Sequence, residues 1–552
     1  METRDRLYGL IAKVVGLEIG SIRDNSNFFG IGGDSISALK LTKLCKDENL
    51  FLTVDDIFDY PEMADLVRIS GKRPATNGTR NQPKEPKTPL QTINPNTLCR
   101  QPTQEESSKC NLNVLPTTGF QRWSLSGMHY RYFRIPLPAS IDKNRLFHSC
   151  ELLVQRHDSL RTAFAKQDGD NGKTVVQIVH PSVRIQFQEN NQVESLDRHC
   201  DEDTRDAVEP PVDGKPPFQV QIVTLKDSRA FLVLRFAHAQ WDGFSLASIT
   251  NDLSAAYNNL PLSPTTQYFQ HASAAWATHT DDAFKIWMRV LEGSQMTKMD
   301  AGALLLLPKE SARSEIGIKM QEPYTVKITK TIPKEPLSSL PTNISMGTVI
   351  KTAWAMTLMH SFRRKRTSEE NQVHDVVFGQ VTNGRALGIP NESHIIGPCT
   401  NIIPVRVRLT GTSITKLDLL RKVQRLYLDT RAYENVEFEH IVKRCTTWAS
   451  DTKYGSIVRF QNYDFNPTTW LEGTACKGSL YYVPNRPSET ANIAIFPFET
   501  ELSVVMTVSN HTLNEQEAQC IVDEFCKQVQ EFSNDHDLDE PVNLQYSYQA
   551  PE

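Results

Sequence analysis

Residues 231–245, FLVLRFAHAQWDGFS, join a predicted strand to a short polar motif. The run from Phe231 to Phe236 is rich in apolar and aromatic residues, which predicts a β-strand. His238 follows directly, where the strand ends. A neutral imidazole at such a place can accept a proton from an amine that attacks a carbonyl. Taken alone, a histidine in this position is more often a structural residue, and both interpretations stay open on this pattern.

Strands and helices mix on both sides of this segment. Runs of β-branched and aromatic residues predict further strands, and apolar residues spaced by three or four predict helices. The strands are predicted at 130–135, 175–179, 218–223, 373–381, 402–407 and 502–508, and the helices at 246–257 and 521–529. This part of the chain is therefore of α/β class. We expect two or three domains, because one hydrophobic core stops growing at roughly 250–300 residues.

Residues 1–70 have the pattern of a small, all-helical unit. An apolar stripe at Leu7, Ile11 and Val14 is typical of one helix face, and glycines then interrupt the pattern before a second helix. Four short helices are predicted in this unit. From 71 to 111 the composition shifts to Pro, Lys, Thr, Asn, Gln and Ser, which predicts a flexible linker.

The stretch FFGIGGDSI, residues 28–36, places Ser35 at the start of the second predicted helix. A phosphodiester attached to this hydroxyl would lie at the positive end of the helix dipole, near free N–H groups. The alternative is that Ser35 only caps the helix. The local pattern does not separate these two interpretations.

Residues 1–70 as a whole resemble the thiolation, or peptidyl carrier, domains of nonribosomal peptide synthetases, whose signature is G-G-D-S-[IL] at the start of the second of four helices. The resemblance implies that Ser35 carries 4′-phosphopantetheine, which a phosphopantetheinyl transferase attaches. It also implies that Asp34 is a neighbouring recognition residue. The substrate would be a tethered peptidyl thioester, supplied by upstream synthetase modules.

The larger part of the chain resembles the condensation domains of the same synthetases. The pattern H-x-x-x-D-G at 238–243 is the core of their motif. Other landmarks follow in the family's order: RHDSLRTAF at 156–164, NGR at 383–385 and GPCTNIIP at 397–404.

The two resemblances together imply a fold. It is a small four-helix carrier domain followed by an α/β condensation domain of two chloramphenicol-acetyltransferase-like lobes in a V shape. The lobes would span 112–290 and 291–545, with a tunnel between them. His238 would lie at the centre of this tunnel as the catalytic residue.

The resemblance also assigns roles to residues around the histidine. Asp242 and Gly243 belong to the scaffold of the motif, and Asp242 is expected to form an ion pair with Arg385. Trp241 either shapes the tunnel wall or is a core aromatic, and both roles remain open. Asn462 is expected to face the tunnel.

Two features concern the type of condensation domain. Ala237 stands where bacterial amide-forming domains have a histidine, and Ser245 completes the pattern H-x-x-x-D-x-x-S. That pattern resembles the terminal condensation domains of fungal synthetases, written S-H-x-x-x-D-x-x-S, which release their peptide by intramolecular cyclisation. We therefore expect macrocyclisation of the tethered peptide, with His238 as the base or as the stabiliser of the intermediate.

The order of the motifs agrees with this expectation. The carrier motif lies upstream, and after Phe532 the chain has an acidic, polar tail without a second G-G-x-S motif or a thioesterase G-x-S-x-G motif. If this is the natural end, no acceptor carrier follows, and the nucleophile must belong to the peptide itself.

Three other functions remain open. Ordinary amide elongation onto a downstream acceptor carrier applies if the chain continues in a longer protein. An epimerisation domain shares the fold and the histidine motif, but it needs a glutamate base and an E-G-H-G-R type segment, where this chain has TNGR at 382–385. A non-catalytic docking pair would not need His238, Asp242 and Arg385 together.

Composition argues against several classes of partner and location. The formal net charge is −5 and no block of lysine and arginine is interleaved with aromatics, so we expect neither nucleic acid nor an anionic membrane as partner. No apolar run approaches the ~18 residues of a transmembrane helix, and the N-terminus is charged, so we expect a cytoplasmic protein. We also expect a monomer. The ten cysteines show no C-x-x-C pair or zinc-site spacing, so no metal is expected.

Overall fold

The computed structural model describes most of the chain. The described residues are 2–15, 17–33, 35–70, 113–127, 130–169, 172–185, 187–206, 212–299, 322–334, 343–361, 373–410, 414–482, 487–498, 500–534 and 538–543. The predicted linker at 71–111 lies outside them, and so does Asp34. Among the described residues, no helix is both long enough and apolar enough to cross a bilayer.

The described part of residues 2–70 contains four α-helices around one hydrophobic cluster. They are α1 (Glu2–Val15), α2 (Ser35–Asp47), α3 (Val54–Asp59) and α4 (Met63–Ser70). The predicted apolar stripe is confirmed, because Leu7 and Ile11 are fully buried in this cluster and Val14 packs against it. A capping box fixes the start of α3: the hydroxyl of Thr53 accepts the Asp56 N–H, and the Asp56 carboxylate accepts the Thr53 N–H.

Residues 113–291 alternate between strands and helices. The strands are β1 (Asn113–Pro116), β2 (Tyr130–Leu137), β3 (Thr162–Gly169), β4 (Gly172–Val179), β5 (Phe187–Val193), β6 (Gln219–Leu225) and β7 (Ala230–Ala237). The helices are α5 (Gly119–Gly127), α6 (Lys143–Arg156), α7 (Leu196–Asp206), α8 (Ser245–Tyr257), α9 (Tyr268–Ala277) and α10 (Asp281–Leu291). The predicted strand before His238 is confirmed as β7, and six of its eight residues are buried.

A second set of elements follows from residue 325 onwards. The strands are β8 (Thr325–Pro333), β9 (Val373–Thr382), β10 (Asn401–Thr410), β11 (Ser456–Phe460), β12 (Thr468–Leu471), β13 (Thr474–Lys477), β14 (Ser479–Tyr481), β15 (Ala491–Pro497) and β16 (Glu501–Ser509). The helices are α11 (Met346–Ser361), α12 (Lys416–Thr430), α13 (Phe438–Cys445) and α14 (Glu515–Glu531).

Two sheets with separate cores dominate this α/β part. A six-stranded sheet has the order β10-β9-β11-β15-β16-β8, and its core includes Trp354 and Phe525 from α11 and α14. A five-stranded sheet has the order β14-β2-β7-β6-β5, and its core includes Leu153 and Ile249 from α6 and α8. Strands β1, β4 and β3 form a separate three-stranded sheet, in that order.

Two features connect the two main sheets. Strand β14 follows β11 in sequence but joins the five-stranded sheet, where Leu480 is paired with Phe133 of β2. Helix α10 precedes the six-stranded sheet, and its Trp287 packs with Val377 of β9 and Val442 of α13. These connections hold the carboxyl end of β7 near the carboxyl ends of β9 and β11, where the motif residues meet.

Candidate active site

His238 lies one residue beyond the end of β7, between buried Ala237 and Ala239. Its Nδ1 is 3.2 Å from the carbonyl oxygen of Trp241. Because a carbonyl only accepts hydrogen bonds, Nδ1 carries the proton and Nε2 keeps its lone pair. The ring packs edge-on against Phe120, with 5.2 Å between the centroids. Within the described residues Nε2 makes no hydrogen bond, so it is oriented as the proton acceptor of the imidazole.

The charge state of His238 follows from its surroundings. Burial, the largest cause, and the positive charge of Arg131 together lower the pKa of His238 to about 3. The Trp241 carbonyl and the Asp242 carboxylate act in the opposite direction and do not compensate. The imidazole is therefore neutral near pH 7, which suits a proton acceptor, but its protonated form is strongly disfavoured.

Asp242 and Arg385 form a buried, bidentate ion pair. Arg385 Nη1 is 2.8 Å from Asp242 Oδ2, and Nη2 is 2.8 Å from Oδ1. Each side chain is only 3% exposed. The same carboxylate accepts the backbone N–H groups of Cys399 and Thr400, at 3.0 and 3.2 Å. Asp242 thus ties the loop after β7 to the loop before β10, and its oxygens are occupied by these contacts.

Ser245 links the same two loops. Its hydroxyl donates to Asp242 Oδ1 at 3.0 Å and accepts the backbone N–H of Gly397 at 3.1 Å. Ser245 is also the first residue of α8, so the motif continues directly into the helix that covers the five-stranded sheet. The structure therefore places Ser245 beside Asp242 and Gly397.

Position 243 requires a glycine because the ring of Tyr463 lies very close to its backbone. A Cβ atom at this position would lie 2.0 Å from Cζ of Tyr463, a distance that no side chain can tolerate. The ring of Tyr463 also packs against Phe244, with 4.9 Å between the centroids. The segment after β11 therefore contacts the motif through Tyr463, which the sequence did not point to. The neighbouring Asn462 has an exposed side chain.

Trp241 is a core residue of the five-stranded sheet. Its side chain is 1% exposed, and its ring packs 5.6 Å from that of Phe236. The ring also lies 5.1 Å from the imidazole of His238. Of the two roles left open for Trp241, this burial favours the core aromatic.

The structure also places two arginines near the histidine that the sequence patterns did not reveal. Arg131 lies on β2, next to the strand that leads to His238, and Arg459 lies on β11. The strand YRYFRI contains two arginines, Arg131 and Arg134, and charged residues in a largely apolar strand were the available signal for Arg131. Arg459 is likewise a charged residue in an apolar strand, SIVRF, but its position relative to His238 depends on pairing between distant strands.

Ser35 is the first residue of α2. The turn before it is tight: Gly32 has φ +97°, and a Cβ on Gly33 would lie 2.4 Å from the carbonyl oxygen of Phe28. Phe28 is fully buried, so the glycines let the chain pack on the core immediately before the helix begins. A helix of 13 residues that starts at Ser35 offers free N–H groups to a phosphodiester, so the local backbone fits 4′-phosphopantetheine.

An ion pair also connects the helical unit of residues 2–70 with the larger part of the chain. Arg431, after α12, donates to both carboxylate oxygens of Asp55 in α3, at 3.1 and 3.2 Å. Leu428 of α12 packs against the hydrophobic cluster of this helical unit. Among the described residues, no group of three or more His, Cys, Asp or Glu side chains is arranged to hold a metal ion.

Comparison with known proteins agrees with this division of the chain. A family model described as "Condensation domain" matches residues 129–540, and one described as "Phosphopantetheine attachment site" matches residues 5–69. The chain is 36% identical over 543 residues to nonribosomal peptide synthetase chyA of Penicillium rubens, which covers 95% of this chain and 22% of that protein. It is 28% identical over 534 residues to nonribosomal peptide synthetase TES of Alternaria alternata, covering 94% and 10%. The chain thus spans less than a quarter of the length of these two curated relatives.

Solved structures share the fold. The structure titled "holo T3CT" is 24% identical, with a TM-score of 0.64 over 78% of this chain and 94% of that one. The condensation domain of the monacolin K polyketide synthase MokA is 13% identical, with a TM-score of 0.59 over 77% and 98%. Since the first family model covers well over half of its residues, the chain belongs to the condensation-domain family, and its residues 5–69 form a carrier domain whose cofactor is 4′-phosphopantetheine.

Proposed function

We propose that the chain is the terminal thiolation–condensation part of a nonribosomal peptide synthetase, which releases a peptidyl thioester by intramolecular amide formation. The observation that carries this proposal is the neutral His238, whose Nε2 is a free acceptor at the junction of the two sheets. The carrier domain upstream supports it, because it supplies a tethered thioester to the same chain. Upstream synthetase modules and a phosphopantetheinyl transferase are the partners that this proposal requires.

The chain's own residues divide the work. Ser35 is the proposed attachment site, with Asp34 as a recognition residue, and the bound cofactor supplies the thioester. His238 accepts the proton of the attacking amine at Nε2 and can pass it to the leaving sulfur. Asp242 and Arg385 hold the two loops in place, and Gly243 lets Tyr463 approach. Confinement of the amine and the thioester can contribute as much as ~7–11 kcal/mol to the lowering of the barrier.

The motif supports cyclisation over other reactions. Ser245 in H-x-x-x-D-x-x-S is held against Asp242 and Gly397, so this residue is an integral part of the loop contact. None of the described contacts of His238 involves a glutamate, which an epimerisation mechanism would need. Elongation onto a downstream acceptor carrier is the alternative that the test must separate.

We also infer the larger arrangement that this function needs. The two sheets would belong to chloramphenicol-acetyltransferase-like lobes, 112–290 and 291–545, arranged in a V with a tunnel that leads to His238. The four-helix carrier would be joined to them by a linker at 71–111. The separate cores of the two sheets and the ion pair between Asp242 and Arg385 support this arrangement.

Loading and product analysis test the proposal. Treatment with coenzyme A and a transferase should add one phosphopantetheine to the wild type and none to Ser35→Ala. A candidate peptide, loaded as its pantetheine thioester, should leave the wild type as a cyclic product. If a linear acid were the sole product, the reaction would be hydrolysis and not cyclisation. If no product were released until an acceptor carrier was added, the reaction would be elongation.

A further inference from the structure

Two arginines from different sheets flank the histidine. On β2, Arg131 is paired with Phe236 of β7, and paired residues point to the same face of a sheet. His238 follows two residues after Phe236, just beyond the end of β7, and the positive charge of Arg131 lowers its pKa. Arg131 therefore lies close to the end of the strand that leads to His238. Its guanidinium lies over the ring of Tyr482, with 5.3 Å from Cζ to the centroid.

Arg459 approaches from the six-stranded sheet. It lies near the carboxyl end of β11, which runs parallel to β9 with Val458 opposite Gln380. Arg385 lies just beyond the end of β9 and binds Asp242. Tyr463 lies just beyond the end of β11 and packs on Gly243. Arg459 is thus placed at the sheet edge that faces the motif. Its charge, like that of Arg131, lowers the pKa of His238, which agrees with this placement.

The charge of Arg459 has no counter-ion in the described part of the chain. Two buried arginines nearby are compensated: Arg385, in the loop after β9, binds Asp242, and Arg406 of β10 binds Asp375. Within the described residues, Arg459 makes no side-chain hydrogen bond or ion pair, and its buried Nε has no acceptor. Burial and the positive charge of Arg459 both lower the pKa of Arg131, to about 10. Arg459 is half-buried, so its charge is only partly offset by water beside the cation of Arg131, and an anion bound between the two would reduce their repulsion.

We propose that Arg459, with Arg131 beside it, binds the oxyanion that forms when the amine attacks the thioester. The inference rests on the proposed function, which supplies the thioester. As the new C–N bond forms, the carbonyl electron pair moves to oxygen, where the guanidinium groups stabilise it. His238 takes the amine proton, the electron pair returns, and the C–S bond breaks with the proton going to sulfur. The negative oxygen also makes a protonated His238 less unfavourable while the intermediate exists.

The test compares Arg459→Met and Arg459→Lys with the wild type. The control is Arg408→Met, which removes an exposed arginine of the same sheet. Soluble peptidyl-pantetheine thioesters serve as substrates, and total thioester consumption is followed with and without an added amine. Removal of an oxyanion-binding group should lower kcat by about 10²- to 10³-fold with KM nearly unchanged. Arg459→Lys should recover part of the loss, and Arg408→Met should match the wild type.

Ligand binding to the unloaded protein gives a second readout. A pantetheine phosphonate that mimics the anionic tetrahedral carbon should bind less tightly to Arg459→Met, by a factor similar to the loss in kcat. A planar amide analogue should bind both proteins equally. The melting temperature of Arg459→Met should equal or exceed that of the wild type, because the change removes an uncompensated charge.

Four results would overturn the inference. They are an unchanged kcat in Arg459→Met, equal weakening of both analogues, a KM effect confined to peptides with a carboxylate, and a fall in melting temperature that tracks the loss of activity. The third would assign Arg459 to a carboxylate of the substrate, and the fourth to a structural role. If the wild type consumes thioester only with added amine, and Arg459→Met still lowers that rate, the cyclising function fails while the oxyanion site stands.

Discussion

Arg385 and Asp242 face each other with two contacts of 2.8 Å, in a place where both side chains are 3% exposed. The pair joins the end of β7 to the loop between β9 and β10, so it fixes the position of His238 relative to the six-stranded sheet. A buried pair adds little net stability, but loss of one partner leaves an uncompensated charge. Its contribution is therefore geometric.

Removal of either partner should lower stability and activity together. We expect Asp242→Ala and Arg385→Ala each to cost about 3–5 kcal/mol in the free energy of unfolding. The matched control is Asp375→Ala, which breaks the buried Arg406–Asp375 pair on β9 and β10, away from the motif. Asp375→Ala should lose about as much stability as the Asp242 and Arg385 variants, but its folded molecules should release product at the wild-type rate. Normal melting of the Asp242 and Arg385 variants with lost activity would instead indicate direct roles in catalysis.

Gly243 should tolerate no side chain while Tyr463 is present. A Cβ atom at 2.0 Å from Cζ of Tyr463 forces the tyrosine away from the motif. Overpacking of this kind typically costs about 1–3 kcal/mol. We expect Gly243→Ala to lose stability and activity, and Gly243→Ala/Tyr463→Ala to lose less stability than the two single losses added together. Additive losses in chemical denaturation would show that the two residues do not interact.

The low pKa of His238 should make the folded protein less stable in acid. Burial lowers this pKa to about 3, while the ordinary value is 6.5. Between these values the unfolded chain binds a proton that the folded protein excludes, so stability falls as the pH falls from 6.5 towards 3. His238→Gln lacks this term. From pH 6.5 to pH 5 its free energy of unfolding should therefore decrease less than that of the wild type, by up to about 2 kcal/mol. If urea titrations gave equal decreases in the free energy of unfolding for both proteins, His238 would be protonated as easily in the folded protein as in the unfolded chain.

The contact between Asp55 and Arg431 should matter only for tethered substrates. The pair is partly exposed, with side-chain accessibilities of 37% and 19%, so its contribution is at most about 1 kcal/mol. Asp55→Arg should slow release from the carrier by up to roughly fivefold and leave turnover of a soluble thioester unchanged. The charge swap Asp55→Arg/Arg431→Asp should recover part of the rate. Equal slowing of both substrates would show that the change acts on the active site rather than on carrier placement.

Local patterns predicted the elements that carry the site, but not all of its contacts. The strand before His238, the helix that begins at Ser35 and the stripe at Leu7 and Ile11 follow from short-range periodicity, which one segment contains by itself. The meeting of Asp242 with Arg385 was expected from family resemblance, not from spacing. The approach of Tyr463 depends on where the chain goes after β11.

The placement of Arg459 shows why such contacts escape prediction. It depends on the parallel pairing of β11 with β9 and on the crossing of β14 to the other sheet. Those pairings join residues that are far apart in sequence, and no local periodicity encodes them. The expected role of Asn462, in the same segment, stays a prediction, and its neighbour Tyr463 makes the contact with Gly243.

The release rate of a peptide loaded on Ser35 tests the central claim most directly. In single turnover, the wild type should release cyclic product without an acceptor carrier. His238→Ala should fold, and should load Ser35, as the wild type does, while cyclic release falls by about 10²- to 10⁴-fold, the usual contribution of a positioned base. Mass spectrometry of the carrier and of the released product follows both steps in one experiment. Cyclisation by His238→Ala at the wild-type rate, or release of linear acid alone by the wild type, would contradict the account.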